Sequence, residues 1–262
     1  MWRQRKRLGL ALGGGVARGR AHVGVIQVLE EAGIEVSFVS GVSAGAMVGA
    51  CYAAGLNVAQ LTQVATGFTW FRVASFSLLN PFRQGLDRLG LVDFENLEMF
   101  VIDAIGDVAF DELKLPFAAG ATDLLTGERI VLTSGRVAHA VRASAAVPGV
   151  VVPVRWGERI LCDGFASNNV PIQILHDMGA DVVLAVNIMP VGRQVPSSFF
   201  WAGSTALSAL VLQAGDPLDL ADVLIEPDLA EIDYLFPSAA RVVQLGREAA
   251  LPAIPQLRAL LA

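Results

Sequence analysis

The feature that most constrains this chain is a repeated unit: an apolar run, a break of small residues, then a helical pattern. Leu8 to Leu12 is apolar throughout and stops at Gly13-Gly14-Gly15, as a buried parallel strand does on leaving its sheet. From Arg18 onward His22, Val25, Ile26 and Leu29 recur at i, i+3, i+4 and i+7, and Gly33 supplies a stop. That spacing predicts a helix with one core-facing stripe. Val36 to Ser40 repeats the strand signal, and after a sharp turn at Ser43 a run of small residues predicts a second helix ending near Gly55.

The alternation continues along the chain. Helical periods cover 57–66 and 94–105, strands fall near 116–122, 128–133 and 158–162, and a helix is expected from Pro171 to Met178. Asp181 to Ile188 and Asp222 to Ile225 read as further buried strands. The expected fold class is α/β, a three-layer sandwich with a mostly parallel central sheet covered by helices on both faces. The 262 residues show no internal repeat and no Pro-, Gly- or Ser-rich linker, so a single domain over 1–262 is expected. Its motif core occupies about 7–190, with a C-terminal strand and helix in about 220–262.

Hydrophobic residues make up 54% of the chain and charged residues 17%. Disorder is excluded, and the surface must be either unusually apolar or shared with a partner or membrane. The formal charge of -6 hides an asymmetry: no acidic residue precedes Glu30, while Arg3, Arg5, Lys6, Arg7, Arg18 and Arg20 all do. Contact with an anionic lipid surface is one reading of that cluster, and a solvated lead-in to the first strand is the commoner one. A pI near 5.1 without a second basic cluster argues against nucleic acid.

Cys51 and Cys162 lie in separate apolar runs without metal-ligand spacing, and both are expected to be buried and reduced. The start imitates a secretory signal, but its apolar stretch is short and runs into glycines and Arg18, so a cytoplasmic location is expected, with peripheral membrane contact left open. Two stretches carry no charge, Val36 to Phe71 and Gln194 to Gly215. Polar residues and Gly55 interrupt the first, and Pro196 and several serines the second, so buried or interfacial segments explain them better than membrane spans.

Gly41-Val42-Ser43-Ala44-Gly45 fits G-x-S-x-G between a predicted strand and a predicted helix, the setting in which a strained turn lifts a serine hydroxyl out of a sheet. The helix start also favours negative charge developing beside that serine. Gly13 to Gly19 is a second strand-to-helix loop whose N–H groups can converge on an anion. It fails the dinucleotide fingerprint, which needs glycine where Arg18 stands, and the phosphate loop, which needs Lys and Ser or Thr where Arg20 and Ala21 stand. An oxyanion-binding loop remains, beside the plainer reading of a structural turn.

A glycine-rich loop with an Arg, G-x-S-x-G on the next strand and a distant Asp163-Gly164 together resemble the patatin-like phospholipases. Ser167-Asn168-Asn169-Val170-Pro171, Arg142 to Gly149 and Thr122-Asp123 with Thr126-Gly127-Glu128 are similar to further signatures of that family. The resemblance covers about 7–190. It implies a lipid acyl hydrolase with Ser43 as nucleophile, Asp163 as its base, the N–H groups of Gly13, Gly14 and Gly15 as oxyanion hole, and Arg18 bracing the loop. It implies no metal or organic cofactor, and a lipid or ester substrate. Two departures stand out: Val16 where many members carry a fourth glycine, and Phe165, which is expected to crowd the pocket.

An ordinary carboxylate, with pKa about 3.9, is a poor base toward a serine hydroxyl, so the dyad needs an apolar setting that raises it. Ser43, Asp163 and His176 also fall in the chain order of a Ser-Asp-His triad. His176 is expected at a helix end, His22 on a core stripe and His139 on a short helix, which favours structural roles for all three. Ser144 lies at a helix end and is expected to shape the pocket wall. Aromatic residues between Thr69 and Phe82, and at Phe199, Phe200 and Trp201, suit either core or a lipid-facing rim. Three functions follow: a lipid acyl hydrolase, a small-ester hydrolase, thioesterase or acyltransferase with the same dyad, or a silent scaffold.

Overall fold

The computed structural model describes residues 5–76, 85–189, 215–233 and 235–262. Among these the strands are β1 (Leu8–Leu12), β2 (Val36–Val42), β3 (Ser75–Phe76), β4 (Val92–Asp93), β5 (Phe117–Asp123), β6 (Arg129–Leu132), β7 (Val154–Trp156), β8 (Arg159–Asp163), β9 (Val182–Val186) and β10 (Val223–Ile225). The helices are α1 (Arg20–Glu31), α2 (Ala44–Ala53), α3 (Val58–Gly67), α4 (Trp70–Val73), α5 (Glu95–Ile105), α6 (Val137–Ser144), α7 (Ile172–Asp177), α8 (Ala239–Ala250) and α9 (Ile254–Leu261).

The central sheet has the order β10-β9-β1-β2-β5-β8-β7, with β6 also paired to β5. Pairings from β10 to β5 are parallel, and those joining β5 to β6, β5 to β8 and β8 to β7 are antiparallel. Parallel pairing predominates, as expected. It changes where connections become too short for a crossover: Gly157-Glu158 alone separates β7 from β8, and a two-residue loop forces a hairpin.

Side chains alternate across the sheet and feed two cores. Leu8, Leu10 and Leu12 of β1, with Leu184 and Val186 of β9, face the larger core of α1, α2, α3, α5, α6, α8 and α9. Ala11, Val183 and Ala185 face the other way, against Ile172 and Leu175 of α7. Both faces are thus covered, unequally. The C-terminal α8 closes the larger side by crossing α1 backbone to backbone. A Cβ on Gly24 would strike the Val243 carbonyl, and one on Gly246 would strike the Ala21 carbonyl.

The uncharged stretch from Val36 to Phe71 folds as β2, α2, α3 and the start of α4, and no helix of the described residues is long and apolar enough to cross a membrane. The second uncharged stretch, apart from Gly215, lies outside the described residues, as do Phe82, Phe199, Phe200 and Trp201.

Candidate active site

The glycine loop and Ser43 leave the carboxyl ends of the neighbouring parallel strands β1 and β2. Beyond β1 the chain's later strands add on the other side. That is a topological switch point, the crevice where open α/β sheets bind ligands. Ser43 has φ 54° and ψ -119°, a region a side chain enters only under constraint, at about 1–3 kcal/mol. The flanking glycines permit the turn: a Cβ on Gly41 would strike Gly45, and one on Gly45 would strike the Leu12 carbonyl. The turn takes the Ser43 N–H off the strand ladder, and Ser144 receives it. Its Oγ accepts from Ser43 N at 2.9 Å and donates to the Gly120 carbonyl at 2.6 Å.

Register brings Asp163 to the serine. Val42 lies opposite Gly120 on β5, and the next β5 residue, Ala121, lies opposite Asp163 on β8. Asp163 therefore lies two strands across from the end of β2, about 10 Å away between backbones, at the level where the chain turns into Ser43. Side chains narrow that gap, and the Ser43 hydroxyl lies near enough to the Asp163 carboxyl to favour its charged form. Asp163 is 1% exposed, and its Oδ1 also accepts from Phe165 N at 2.9 Å. Burial pushes the carboxyl from 3.8 up to about 7, opposed by the Phe165 N–H and by Ser43, which both favour the charged form. The Phe165 side chain, expected to crowd the pocket, does not line it.

The glycine loop departs from expectation in its donors. Gly13 N donates to the Val186 carbonyl of β9 at 3.0 Å. Gly14 N is shared between Asn169 Oδ1 at 3.1 Å and the Asn169 carbonyl at 3.3 Å. Both are held by the fold, because the loop's first residues still extend β1 between its neighbours. The N–H groups of Gly15, Val16 and Ala44 have no acceptor among the described residues. The loop does lie against the serine: a Cβ on Gly14 would come 3.2 Å from Ser43 Cβ. Three side chains hold it there. His22 Nε2 bonds the Gly13 carbonyl at 2.8 Å, and Arg18 donates twice to the Ile232 carbonyl, at 3.2 and 2.6 Å. Asn169, buried and with its Nδ2 unpartnered, is the third.

Asn169 and Ser144 are the residues whose parts at this site the sequence did not reveal. Asn169 stood within a recognised motif without an assigned role, and Ser144 read as pocket wall. The histidines are engaged elsewhere. His22, fully buried and driven by burial to about 4, sits behind the loop, His139 pairs with Glu98 and stacks on Trp156, and His176 bonds the Leu220 carbonyl. Both cysteines are buried and free, with thiols pushed up to about 12.

Ser43 opens into a pocket of about 450 Å³ walled by apolar side chains, including Met47, Phe68, Trp70, Phe94 and Leu97. Among the described residues Arg20 is the one charged residue lining it, and its guanidinium is tied to the carbonyls of Ala65 and Phe68 at 2.9 Å each.

The chain matches the family model of the patatin-like phospholipases over residues 10–176. It is 37% identical over 182 residues to an uncharacterized NTE family protein of Mycobacterium tuberculosis, covering 70% of this chain and 49% of that protein. It is 29% identical over 256 residues to Lysophospholipase NTE1 of Pyricularia oryzae, covering 97% of this chain and 16% of that protein. The chain thus spans about half or less of these relatives' length. Among solved structures, VipD from Legionella pneumophila superposes with a TM-score of 0.63 at 17% identity, covering 97% of this chain and 67% of VipD. This likeness is one of fold. The chain belongs to the patatin-like phospholipase family.

Proposed function

We propose that the chain is a serine lipid acyl hydrolase working through a Ser43–Asp163 dyad. The observation that carries this reading is the juxtaposition itself, a strained serine beside a fully buried carboxyl raised to about 7. A base with its pKa near the working pH is ionised often enough to act and still strong enough to accept a proton. Asp163 takes the Ser43 proton as Oγ attacks the acyl carbonyl. The oxyanion is held by the free N–H groups of Gly15, Val16 and Ala44, each well-placed donor being worth about 3 kcal/mol. Asp163 returns the proton to the leaving alkoxide as the ester C–O bond breaks. Water, giving its proton to the same carboxylate, then attacks the acyl-enzyme; the Ser43 Oγ–acyl bond breaks, Asp163 returns the proton to Oγ and the fatty acid leaves.

The pocket supports a substrate with one long acyl chain. With a methylene taken as roughly water-sized, ~30 Å³, 450 Å³ holds a chain of about 15 carbons. Lysophospholipids fit this description, and the Pyricularia oryzae relative is named a lysophospholipase. The test is hydrolysis of a panel of lysophospholipids, diacyl phospholipids and short esters, with products identified by mass. The wild type should release fatty acid from the lysophospholipids, and Ser43→Ala and Asp163→Asn should release none. Residual hydrolysis by folded Ser43→Ala, or its loss in folded His176→Ala, overturns the dyad.

A further inference from the structure

Among the described residues the exposed aromatic side chains are Phe71 and Phe236, at 85% and 71% exposure, and both line the mouth of the Ser43 pocket. Leu235, also exposed, lines it with them. A phenylalanine left in water forgoes the stabilisation that burial gives a large apolar side chain, and scattered single cases need no explanation. Here two segments far apart in sequence present theirs at one place. That place is the opening of the apolar cavity.

The rim is built. Phe71 rides on α4, and the neighbouring Trp70 donates its Nε1 to the Leu235 carbonyl at 2.7 Å, tying α4 to the segment carrying Phe236. The Asp233 carboxylate accepts the N–H groups of Leu235 at 2.7 Å and Phe236 at 2.6 Å. These two bonds fix the backbone that carries Leu235 and Phe236. Behind the rim Trp70 packs between Phe68 and Phe94, so the apolar surface runs without a break from the exposed edge to the cavity wall.

We propose that Phe71, Leu235 and Phe236 form an insertion edge that docks the pocket mouth on a lipid surface. The inference rests on reading the pocket as an acyl site. A lipid with a chain long enough to fill that pocket resides in bilayers or micelles rather than free in water. An edge that enters the acyl layer lets the chain pass into the cavity without crossing water. Because the three residues are apolar, docking depends on buried area and persists at high ionic strength.

The experiment is co-sedimentation of Ser43→Ala protein, which leaves lipid intact, with extruded phosphatidylcholine vesicles. Phe71→Ser/Phe236→Ser on the same background is compared, its fold checked by its unfolding midpoint. Partitioning should fall at least about tenfold, since each phenylalanine contributes on the order of a factor of ten, and the parent's binding should change little from low to high salt. Phe71→Trp should retain binding and shift its emission to the blue on vesicles. Equal partitioning of parent and double variant, or no binding by the parent, overturns the proposal. So does steep salt dependence, or a halving of molecular mass in the double variant, which marks the rim as a contact between two copies. Binding is read without catalysis, so a failed hydrolysis assay sinks the dyad and leaves the docking edge standing.

Discussion

Asp163 keeps its proton up to about pH 7 in the folded chain, whereas an unfolded chain releases it near 3.8. Between those values the native state binds more protons, so this group's contribution to stability falls as pH rises and its penalty is complete above about 7. About three units at about 1.4 kcal/mol each sets an upper bound of about 4 kcal/mol. Asp163→Asn should therefore match the wild type in melting temperature near pH 4 and exceed it by several degrees at pH 8, while losing hydrolysis. In the wild type, kcat/KM should rise with pH through an inflection near 7. Melting curves and rates across pH 4 to 9 check both; a variant less stable than wild type at pH 8 contradicts the buried charge. Ser144 yields a second prediction. Its removal leaves the Ser43 N–H buried without an acceptor, at about 1–3 kcal/mol, so Ser144→Ala should lower kcat about tenfold with little change in KM and reduce the melting temperature. Ser43 was singled out by its own local motif, and Asp163 only by the order of motifs that resembles the family. Ser144 acts across 101 residues of sequence, and no spacing rule reports a contact made only by folding.

Elements of four or more residues with a clear period were readable in advance: β1, β2, β5, β6, β8, β9, α1, α2, α3, α5 and α7 all lie where the apolar pattern put them. The three-residue β10 was read from its continuous apolar run, whereas the three-residue β7, with Arg155 between Val154 and Trp156, and the two-residue strands of the β3–β4 ribbon show neither such a run nor a measurable alternation. The antiparallel half of the sheet was hidden for a related reason. Its direction is set by hairpin length, and without β7 the hairpin into β8 could not be recognised. That half decides the site, since the β5–β8 pairing places Asp163 opposite Ala121, one residue beyond the Gly120 that pairs with Val42. The α1–α8 crossing was equally silent in sequence, though it fixes the helix that follows the glycine loop. Gly24→Ala pushes a methyl into the Val243 carbonyl, and such overpacking destabilises by about 1–3 kcal/mol. At about 2–4 °C per kcal/mol, the melting temperature should fall by several degrees. Rates at low temperature should fall less than stability, because the methyl is added behind the loop rather than in the pocket.

At the scale of the molecule the sheet has two unlike edges. Ser43, the glycine loop and the pocket mouth lie at the carboxyl ends of the parallel strands, while Arg5, Lys6 and Arg7 precede β1 at the amino ends, about 20 Å away by strand length. There Arg5 pairs with Glu35 at 2.8 Å, just before β2, and Arg7 pairs with Asp181 at 3.3 Å, just before β9. Lys6 donates to the Leu260 carbonyl at 2.8 Å, fastening the C-terminal α9. Two of the six basic residues that suggested an anionic lipid surface, Arg5 and Arg7, are thus paired with carboxylates on the edge facing away from the mouth. If lipid is approached through the aromatic rim, these cations contribute nothing to it. Arg5→Gln/Lys6→Gln should leave vesicle partitioning and hydrolysis within about twofold of wild type and cost less than about 1 kcal/mol of stability, as exposed ion pairs do. A large loss of partitioning in that variant, with the rim intact, would place the lipid-facing side at the amino edge instead, and would require the acyl chain to reach Ser43 from across the sheet.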